Sequence, residues 1–249
     1  MDTSYGSLCD DFGVSCYLLG KVEMPTGRET VLHFFESVRK AVPSMTDFEK
    51  RDNGEFNLEE DRDTGHYRWV TLDGKRLCTG YVNPPAMEDA DEHIENVLEM
   101  SAAHLDLGGL QTEAVDVLYY FDFLYQGNHD EVVAEALAIG GPLENLSRLP
   151  GSRVLHFQPS LMLALDDGCQ LQGRLSVETR TTAYNVRTAN FPEVPVSVYF
   201  TVRQFWGKQP YKNFVDSYRN QRRLIDEIVT DYVLPNVIQP ISRTIGAKQ

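Results

Sequence analysis

Several sequence signatures of well-known chemistry are missing from this chain of 249 residues. It contains no G-x-S-x-G, no phosphate-binding G-x-x-x-x-G-K-[ST], no G-x-G-x-x-G after a predicted strand and no H-E-x-x-H. His33 and Glu36 form an H-x-x-E pair on a predicted helix, but the second copy that a carboxylate-bundle metal site needs is absent. We therefore expect a binding protein rather than an enzyme, with no catalytic residues, no cofactor and no metal.

Long apolar runs are missing as well. The longest ones are short, 115–125 and 160–165, so no segment is expected to span a bilayer. The N-terminus lacks the basic, apolar and small-residue order of a signal peptide. None of the four cysteines has C-x-x-C spacing, which is typical of reduced thiols. The sequence thus predicts a cytoplasmic protein without a membrane partner.

Basic residues are absent from one long segment. Residues 77–147 carry 14 of the 37 acidic residues and none of the 23 basic ones, so this segment accounts for the net charge of −14. A strongly negative surface repels nucleic-acid backbones and attracts basic partners. The predicted partner is a protein, either a basic one or a second copy of the chain, with a small molecule as the alternative and nucleic acid excluded.

The apolar content of 42% is sufficient for a buried core. Residues 1–13 are polar and are expected to be flexible. Residues 14–110 then follow the order strand, helix, three strands, helix, and residues 111–249 repeat it with a long C-terminal helix. The Asp73-Gly74 and Asp167-Gly168 turns are predicted to be equivalent and to need positive φ at glycine. The predicted fold class is α+β, a largely antiparallel curved sheet packed on helices, in two repeated units or one continuous domain.

An aromatic strand, Val117-Leu118-Tyr119-Tyr120-Phe121, follows the second helix and a polar spacer. This order of elements resembles the TATA-binding-protein-like fold, which helix-grip lipid-binding domains share. It also resembles a sporadically distributed, uncharacterised family of bacterial proteins of similar length. The resemblance implies a sheet gripped by the C-terminal helix and carries no activity and no functional residues.

A polar strand face is the first candidate for ligand binding. Arg174 and Glu178 alternate with apolar residues in the predicted strand 169–180, and Arg203 extends this face on the next strand. Tyr184 and Arg187 lie in a predicted irregular connection, 181–195, of the length that often has a function. A solvated sheet face is the simpler interpretation of the strand. Aromatic residues on the strands are predicted either to fill the core or to line a small-molecule or lipid pocket under the C-terminal helix (Tyr119, Phe121, Phe123, Tyr199 and Phe205).

Two charged stripes at helical spacing are candidates for partner binding. The acidic stripe consists of Glu88, Glu92, Glu95 and Glu99, and the basic stripe consists of Lys208, Lys212, Arg219 and Arg222. Like charges at this spacing disfavour a helix unless something compensates them. We expect the two helices to approach each other, within one subunit or across a dimer, although two independent solvated faces are the alternative. The predicted function is a non-enzymatic binding or scaffold protein that self-associates or docks a basic partner. The alternative is a small-molecule or lipid-binding protein, or an enzyme, with a pocket between the curved sheet and the C-terminal helix.

Overall fold

The computed structural model describes residues 5–25, 27–105, 107, 111–138, 140–206 and 213–249. Their fold is α+β: a curved, antiparallel nine-stranded sheet packs against helices, and the C-terminus is a long helix. The strands are β1 (Asp11–Gly20), β2 (Asp47–Lys50), β3 (Phe56–Glu59), β4 (Tyr67–Leu72), β5 (Arg76–Val82), β6 (Thr112–Tyr125), β7 (Ser160–Ala164), β8 (Leu171–Glu178) and β9 (Val194–Phe205). The α-helices are α1 (Arg28–Ala41), α2 (Met87–His104), α3 (His129–Leu137), α4 (Glu144–Ser147), α5 (Ala183–Thr188), α6 (Phe214–Ile228) and α7 (Gln239–Gly246), and a π-helix (Val229–Ile238) joins the last two.

The strand order in the sheet is β2-β3-β4-β5-β1-β6-β9-β8-β7. The first strands of the two halves, β1 and β6, pair at the centre, so 14–110 and 111–249 share one continuous sheet. The order outward from β1 mirrors the order outward from β6. The Asp73-Gly74 turn, however, joins β4 to β5, whereas Asp167-Gly168 joins β7 to β8, one strand further from the centre. The predicted equivalence of these turns is wrong, and duplication of the chain stays a prediction that only the strand order supports.

The two turns also differ from the predicted type. Neither Gly74 nor Gly168 has positive φ, whereas Cys169, the residue after Gly168, has φ 52°. In the first turn the carboxylate of Asp73 accepts from the backbone N–H groups of Lys75 and Arg76, at 2.7 and 2.9 Å. The side chain of Asp73 therefore fixes that turn without left-handed backbone at the glycine.

The core lies between the sheet and the helices. Alternation in β1 and β6 puts apolar side chains such as Val14, Leu18 and Val117 on the helix side, where they are fully buried. The side chain of Gln221 on α6 donates to the backbone carbonyls of Val115 and Val202, both at 2.8 Å. These two hydrogen bonds connect α6 to both β6 and β9.

Three local expectations are corrected by the structure. Residues 5–13 are not loosely held, because Tyr5 is buried and its ring centroid lies 4.8 Å from that of Phe12. The Tyr5 hydroxyl also donates to the Asp226 carboxylate at 3.2 Å. The connection 181–195 contains α5, which begins where the Thr182 hydroxyl accepts from the backbone N–H of Asn185. Pro235 and Pro240 are expected to break or kink the last helix, and the structure has no break there, because the chain stays helical through both residues.

Pro235 lies within the π-helix, and Pro240 lies in the first turn of α7, which follows the π-helix directly. Among the described helices, none combines the length and apolarity that a membrane span requires.

Candidate functional site

The face of the sheet opposite α1, α2 and α6 is called the open face below. Side chains that stand opposite each other in antiparallel ladders share a face. One row across the open face is Tyr17, Cys78, Thr71 and Asn57, on β1, β5, β4 and β3. The next row is Ser15, Gly80, Trp69 and Glu59. A third row is Tyr120, Gly13, Val82 and Tyr67.

These rows form a depression of about 340 Å³, called the groove below. Its size is in the range of small-molecule sites. The groove is lined by Tyr17, Arg51, Glu55, Asn57, Glu59, Arg62, Tyr67, Trp69, Thr71, Arg76, Cys78, Val82 and Tyr120.

Two glycines allow aromatic rings to lie on the floor of the groove. A Cβ atom on Gly13 would stand 2.1 Å from the ring of Tyr120, its partner on β6. A Cβ atom on Gly80 would stand 3.0 Å from the ring of Trp69, its partner on β4, and 2.7 Å from the carbonyl oxygen of Val14. Glycine within a strand is typical of such close approach. Both rings therefore rest against the sheet, and both line the groove.

The arginines of the groove are already paired. Arg51 bonds to Glu49 and Glu55 at 2.7 and 2.9 Å. Arg62 makes a bidentate pair with Glu59, at 2.8 and 2.7 Å. Arg76 is likewise paired, with Asp73 at 2.6 Å. The positive charge of the groove wall is thus neutralised by carboxylates of the same chain.

The pKa of Glu59 reflects both its burial and its neighbours. Its burial raises the pKa of the carboxyl group, but the hydrogen bonds from Arg62, the nearby amide of Asn57 and the positive charges of Arg62 and Arg51 outweigh the burial and hold the pKa below its usual value. The Glu59 carboxylate therefore stays ionised and keeps Arg62 in place.

The amide of Asn57 is only partly satisfied. Its side chain is 1% exposed, and its Oδ1 accepts from the Thr71 hydroxyl at 2.9 Å. The Nδ2 group is buried and makes no hydrogen bond with a described residue, although the Asn57 side chain helps to lower the pKa of Glu59. In this orientation of the amide, the end without a hydrogen bond is the donor. Buried polar groups are normally satisfied, so this donor is suited to an acceptor that enters the groove.

The reactive groups of the groove are held in inert protonation states. Burial is the main cause that raises the pKa of the Cys78 thiol to about 12. Burial also raises the pKa of the phenols of Tyr17, Tyr67 and Tyr120. A thiol and phenols that stay protonated at neutral pH are poor nucleophiles. The arrangement is suited to hold a molecule rather than to attack it.

The five predicted ligand-binding residues fall in two places. Arg174 and Glu178 are exposed on β8, and Arg203 on β9 makes a bidentate pair with Asp116, at 2.7 and 2.6 Å. Tyr184 and Arg187 lie on α5, where the guanidinium stands 5.4 Å from the ring centroid. These two residues line a second, more open depression of about 550 Å³, together with Arg153, Leu155, Ala183 and Val186.

The predicted pocket under the C-terminal helix is occupied by the core. Tyr119, Phe121 and Phe123 are buried there, and the Tyr119 hydroxyl donates to Asp226 of α6 at 2.9 Å. Tyr199 stands opposite Tyr120 and belongs to the open face instead. The first three residues therefore pack the interior, which was the other half of the prediction.

The acidic and basic helices meet within the chain. Arg219 of α6 makes a bidentate pair with Glu95 of α2, with both N–O distances at 2.7 Å. Arg222 bonds to Asp91, which lies outside the predicted stripe, at 3.0 Å. Glu88, Glu92 and Glu99 are exposed and form no ion pair with a described residue, whereas Lys208 and Lys212 lie outside the described residues. The approach of the two helices is confirmed within one chain, and a partner-binding role for the predicted stripe residues stays a prediction.

Sequence reasoning missed the groove. Its residues come from separate strands, and their polar positions were interpreted one strand at a time. The available signal was glycine inside two strands, at Gly13 and Gly80, because glycine there suggests close approach by another group. Known proteins add no family, since neither the protein-family models nor the curated proteins include one that matches this chain.

Proposed function

We propose that this protein is a non-enzymatic binding protein, and that a small, neutral, planar molecule with a hydrogen-bond acceptor occupies the groove. The observation that carries the proposal is the buried Nδ2 donor of Asn57, which makes no hydrogen bond with any residue that the structure describes. Leaving such a donor unpaired costs about 1–3 kcal/mol, and a ligand carbonyl or ring nitrogen removes that cost.

The other properties of the ligand follow from the walls. Trp69 and Tyr120 lie against the sheet and offer aromatic surface, which favours a planar ring. Because Arg51, Arg62 and Arg76 are all paired with carboxylates, an anion would have to displace a carboxylate to reach a guanidinium. A neutral ligand avoids that competition.

Intrinsic fluorescence tests the proposal directly, because the chain has only two tryptophans. Trp69 lines the groove, and Trp206 is buried in the core. Adenosine, guanosine, uridine and nicotinamide are titrated separately onto the wild-type protein and the Trp69→Phe variant, with inorganic phosphate as the anionic comparison. We expect at least one planar compound to change the emission of the wild type and not that of the variant, and phosphate to change neither.

Two results would contradict this function. One is the absence of any response to the four planar compounds in both fluorescence and thermal stability. The other is a response that persists unchanged after Asn57→Leu, since that variant removes the donor on which the site rests.

Docking of a basic protein is a second candidate function. It is favoured by the three exposed glutamates of α2 that have no ion pair within the described chain (Glu88, Glu92 and Glu99). If this face docks a basic segment, replacing all three by Gln abolishes salt-sensitive binding of a polylysine probe. Equal binding by the triple variant would eliminate this surface.

A further inference from the structure

The two edges of the sheet are built differently. β2, at one edge, carries three charges in four residues: Asp47, Glu49 and Lys50. β7, at the other edge, has the sequence Ser-Leu-Met-Leu-Ala, with no charge and with all five residues exposed. Native proteins usually protect free edges with charges, proline or bulges, because an unprotected edge pairs with another strand. Only the β2 edge has charge protection.

Exposed apolar side chains are concentrated in the stretch of chain that leads into β7 and includes it. Of the twelve large exposed hydrophobic residues in the described part of the chain, seven lie between 143 and 163. They are Leu143, Leu146, Leu149, Leu155, Leu161, Met162 and Leu163. Apolar surface that is gathered in one region marks an interaction site more often than scattered residues do.

The backbone of β7 has a defined outward side. The carbonyl of Pro159 accepts from Val177, and the N–H of Leu165 donates to Leu171, so these odd-numbered positions bond inward to β8. Donors and acceptors of successive residues alternate in direction along an antiparallel strand. The N–H and C=O groups of Ser160, Met162 and Ala164 therefore point to the free edge.

We propose that two copies of this chain pair through β7, antiparallel, about a two-fold axis at Met162. In that register Met162 faces Met162 of the second copy as a hydrogen-bonded pair, and Ser160 faces Ala164 of the second copy. Leu161 then stands beside Leu163 of the second copy. The order of side chains, small-Leu-Met-Leu-small, is the same in both directions, and this self-complementarity identifies a second copy as the partner. The two nine-stranded sheets become one continuous sheet.

Charge is consistent with this contact. Each copy has a net charge of −14, so most surfaces of two copies repel each other, whereas the β7 edge is uncharged. Arg174 stands opposite Met162 within the sheet. In the dimer, three strand spacings of about 4.8 Å separate Arg174 from Arg174 of the second copy. This distance of roughly 14 Å exceeds the Debye length at physiological salt. Dimerisation should therefore strengthen as salt screens the overall repulsion.

Sedimentation velocity of the full chain at low and physiological salt tests the contact. We expect a dimer that Met162→Lys weakens by more than about tenfold, because two like charges then face each other across the axis. Tyr232→Lys is the matched control: it places the same charge on another exposed hydrophobic residue and should leave the dimer intact. Circular dichroism and melting temperature report whether each variant is folded.

Cross-linking tests the register independently of stability. A hydrogen-bonded antiparallel pair has a Cα–Cα distance of about 5.5 Å, within reach of a disulfide, so Met162→Cys should cross-link two copies under mild oxidation. Leu161→Cys should not cross-link, because residue 161 of the second copy lies about two residues further along the strand. A monomer at every concentration and salt, or a dimer that tolerates Met162→Lys and does not cross-link at residue 162, would overturn the proposal.

Discussion

Replacement of Asn57 and Thr71 together should make the unliganded protein more stable and unable to bind. The two side chains share one hydrogen bond, at 2.9 Å, while the buried Nδ2 group of Asn57 makes no hydrogen bond within the described part of the chain. Asn57→Leu with Thr71→Val keeps the volumes similar and removes all of these polar atoms. Relief of the unpaired donor gains about 1–3 kcal/mol, and loss of the shared hydrogen bond costs about 0.5–1.5 kcal/mol.

The net expectation is a gain of about 1 kcal/mol in the free energy of unfolding. In a chain of this length that gain raises the melting temperature by about 2–4 °C. Glu59 keeps its bidentate pair with Arg62, so the change stays local to the amide. Urea denaturation followed by circular dichroism measures the effect.

The single variant Thr71→Val is the matched control and should have the opposite sign. It leaves both ends of the Asn57 amide unpaired, at a cost of about 1–3 kcal/mol. A destabilised single variant with a stabilised double variant is the signature of a donor that is kept for a ligand. If the double variant loses more than about 1 kcal/mol, Asn57 has a structural partner and the reasoning fails.

Three further outcomes are expected. His93 is buried, and burial is the main cause that lowers its pKa from 6.5 to about 4. As pH falls from 6.5 to 4, the unfolded chain therefore gains a proton at His93 while the folded chain keeps the ring neutral. Up to about 3 kcal/mol of the free energy of unfolding is lost over this range. The urea midpoint should fall less steeply with decreasing pH in His93→Gln than in the wild type. An equally steep fall in the variant would contradict the lowered pKa of His93. Gly80→Ala should lower stability more than Gly13→Ala. A Cβ atom at residue 80 meets the backbone carbonyl of Val14 at 2.7 Å, whereas a Cβ atom at residue 13 meets the Tyr120 ring, which can move. Equal urea midpoints for the two variants would argue against these contacts. Arg219→Glu should lower the melting temperature at low salt and Glu95→Arg should restore it, and a double-mutant cycle without coupling would show that the pair contributes nothing.

His93 also shows how hydrogen-bond direction fixes a tautomer. The Thr79 hydroxyl donates to the carbonyl of Trp69 at 3.1 Å and lies 3.0 Å from His93 Nε2. Since a hydroxyl has one proton, Nε2 carries the hydrogen in that bond. The Nδ1 atom is then unprotonated and has no partner among the described residues, so a second proton would be buried without an acceptor.

Elements with strong local periodicity were predictable. The sequence predicts a helix over 87–105, and the structure has one over Met87–His104. Alternation and an Asp-Gly turn, which are local signals, predict a hairpin with strands over 66–72 and 75–82, and β4 and β5 match it to within a residue. Helix α5 was missed, since it has only six residues and too few positions to show a period. The first of the three strands that the sequence predicts after the first helix, near 46–58, is in fact two short strands, β2 and β3.

The groove could not be predicted in the same way. Tyr17 and Asn57 lie 40 positions apart in the sequence and share a row only because three ladders have a particular register. A shift of one residue in any ladder would move Asn57 to the other face. Register depends on packing of the whole core, and no window of the sequence contains it.

The uneven charge of the sequence has an explanation within the fold. Of the 14 carboxylates in the segment without basic residues, five are paired with cations from later in the chain, in the pairs Asp91–Arg222, Glu95–Arg219, Asp116–Arg203, Glu135–Lys248 and Glu144–Arg148. Four of these pairs join different elements, namely α2 with α6, β6 with β9, and α3 with the C-terminal end. Exposed pairs contribute little stability, but opposite charges on two elements favour one mutual arrangement over others. Part of the charge that the sequence offers to a partner is thus used to orient the chain on itself, and the argument for a basic partner at α2 rests on its exposed residues Glu88, Glu92 and Glu99, which form no ion pair with a described residue.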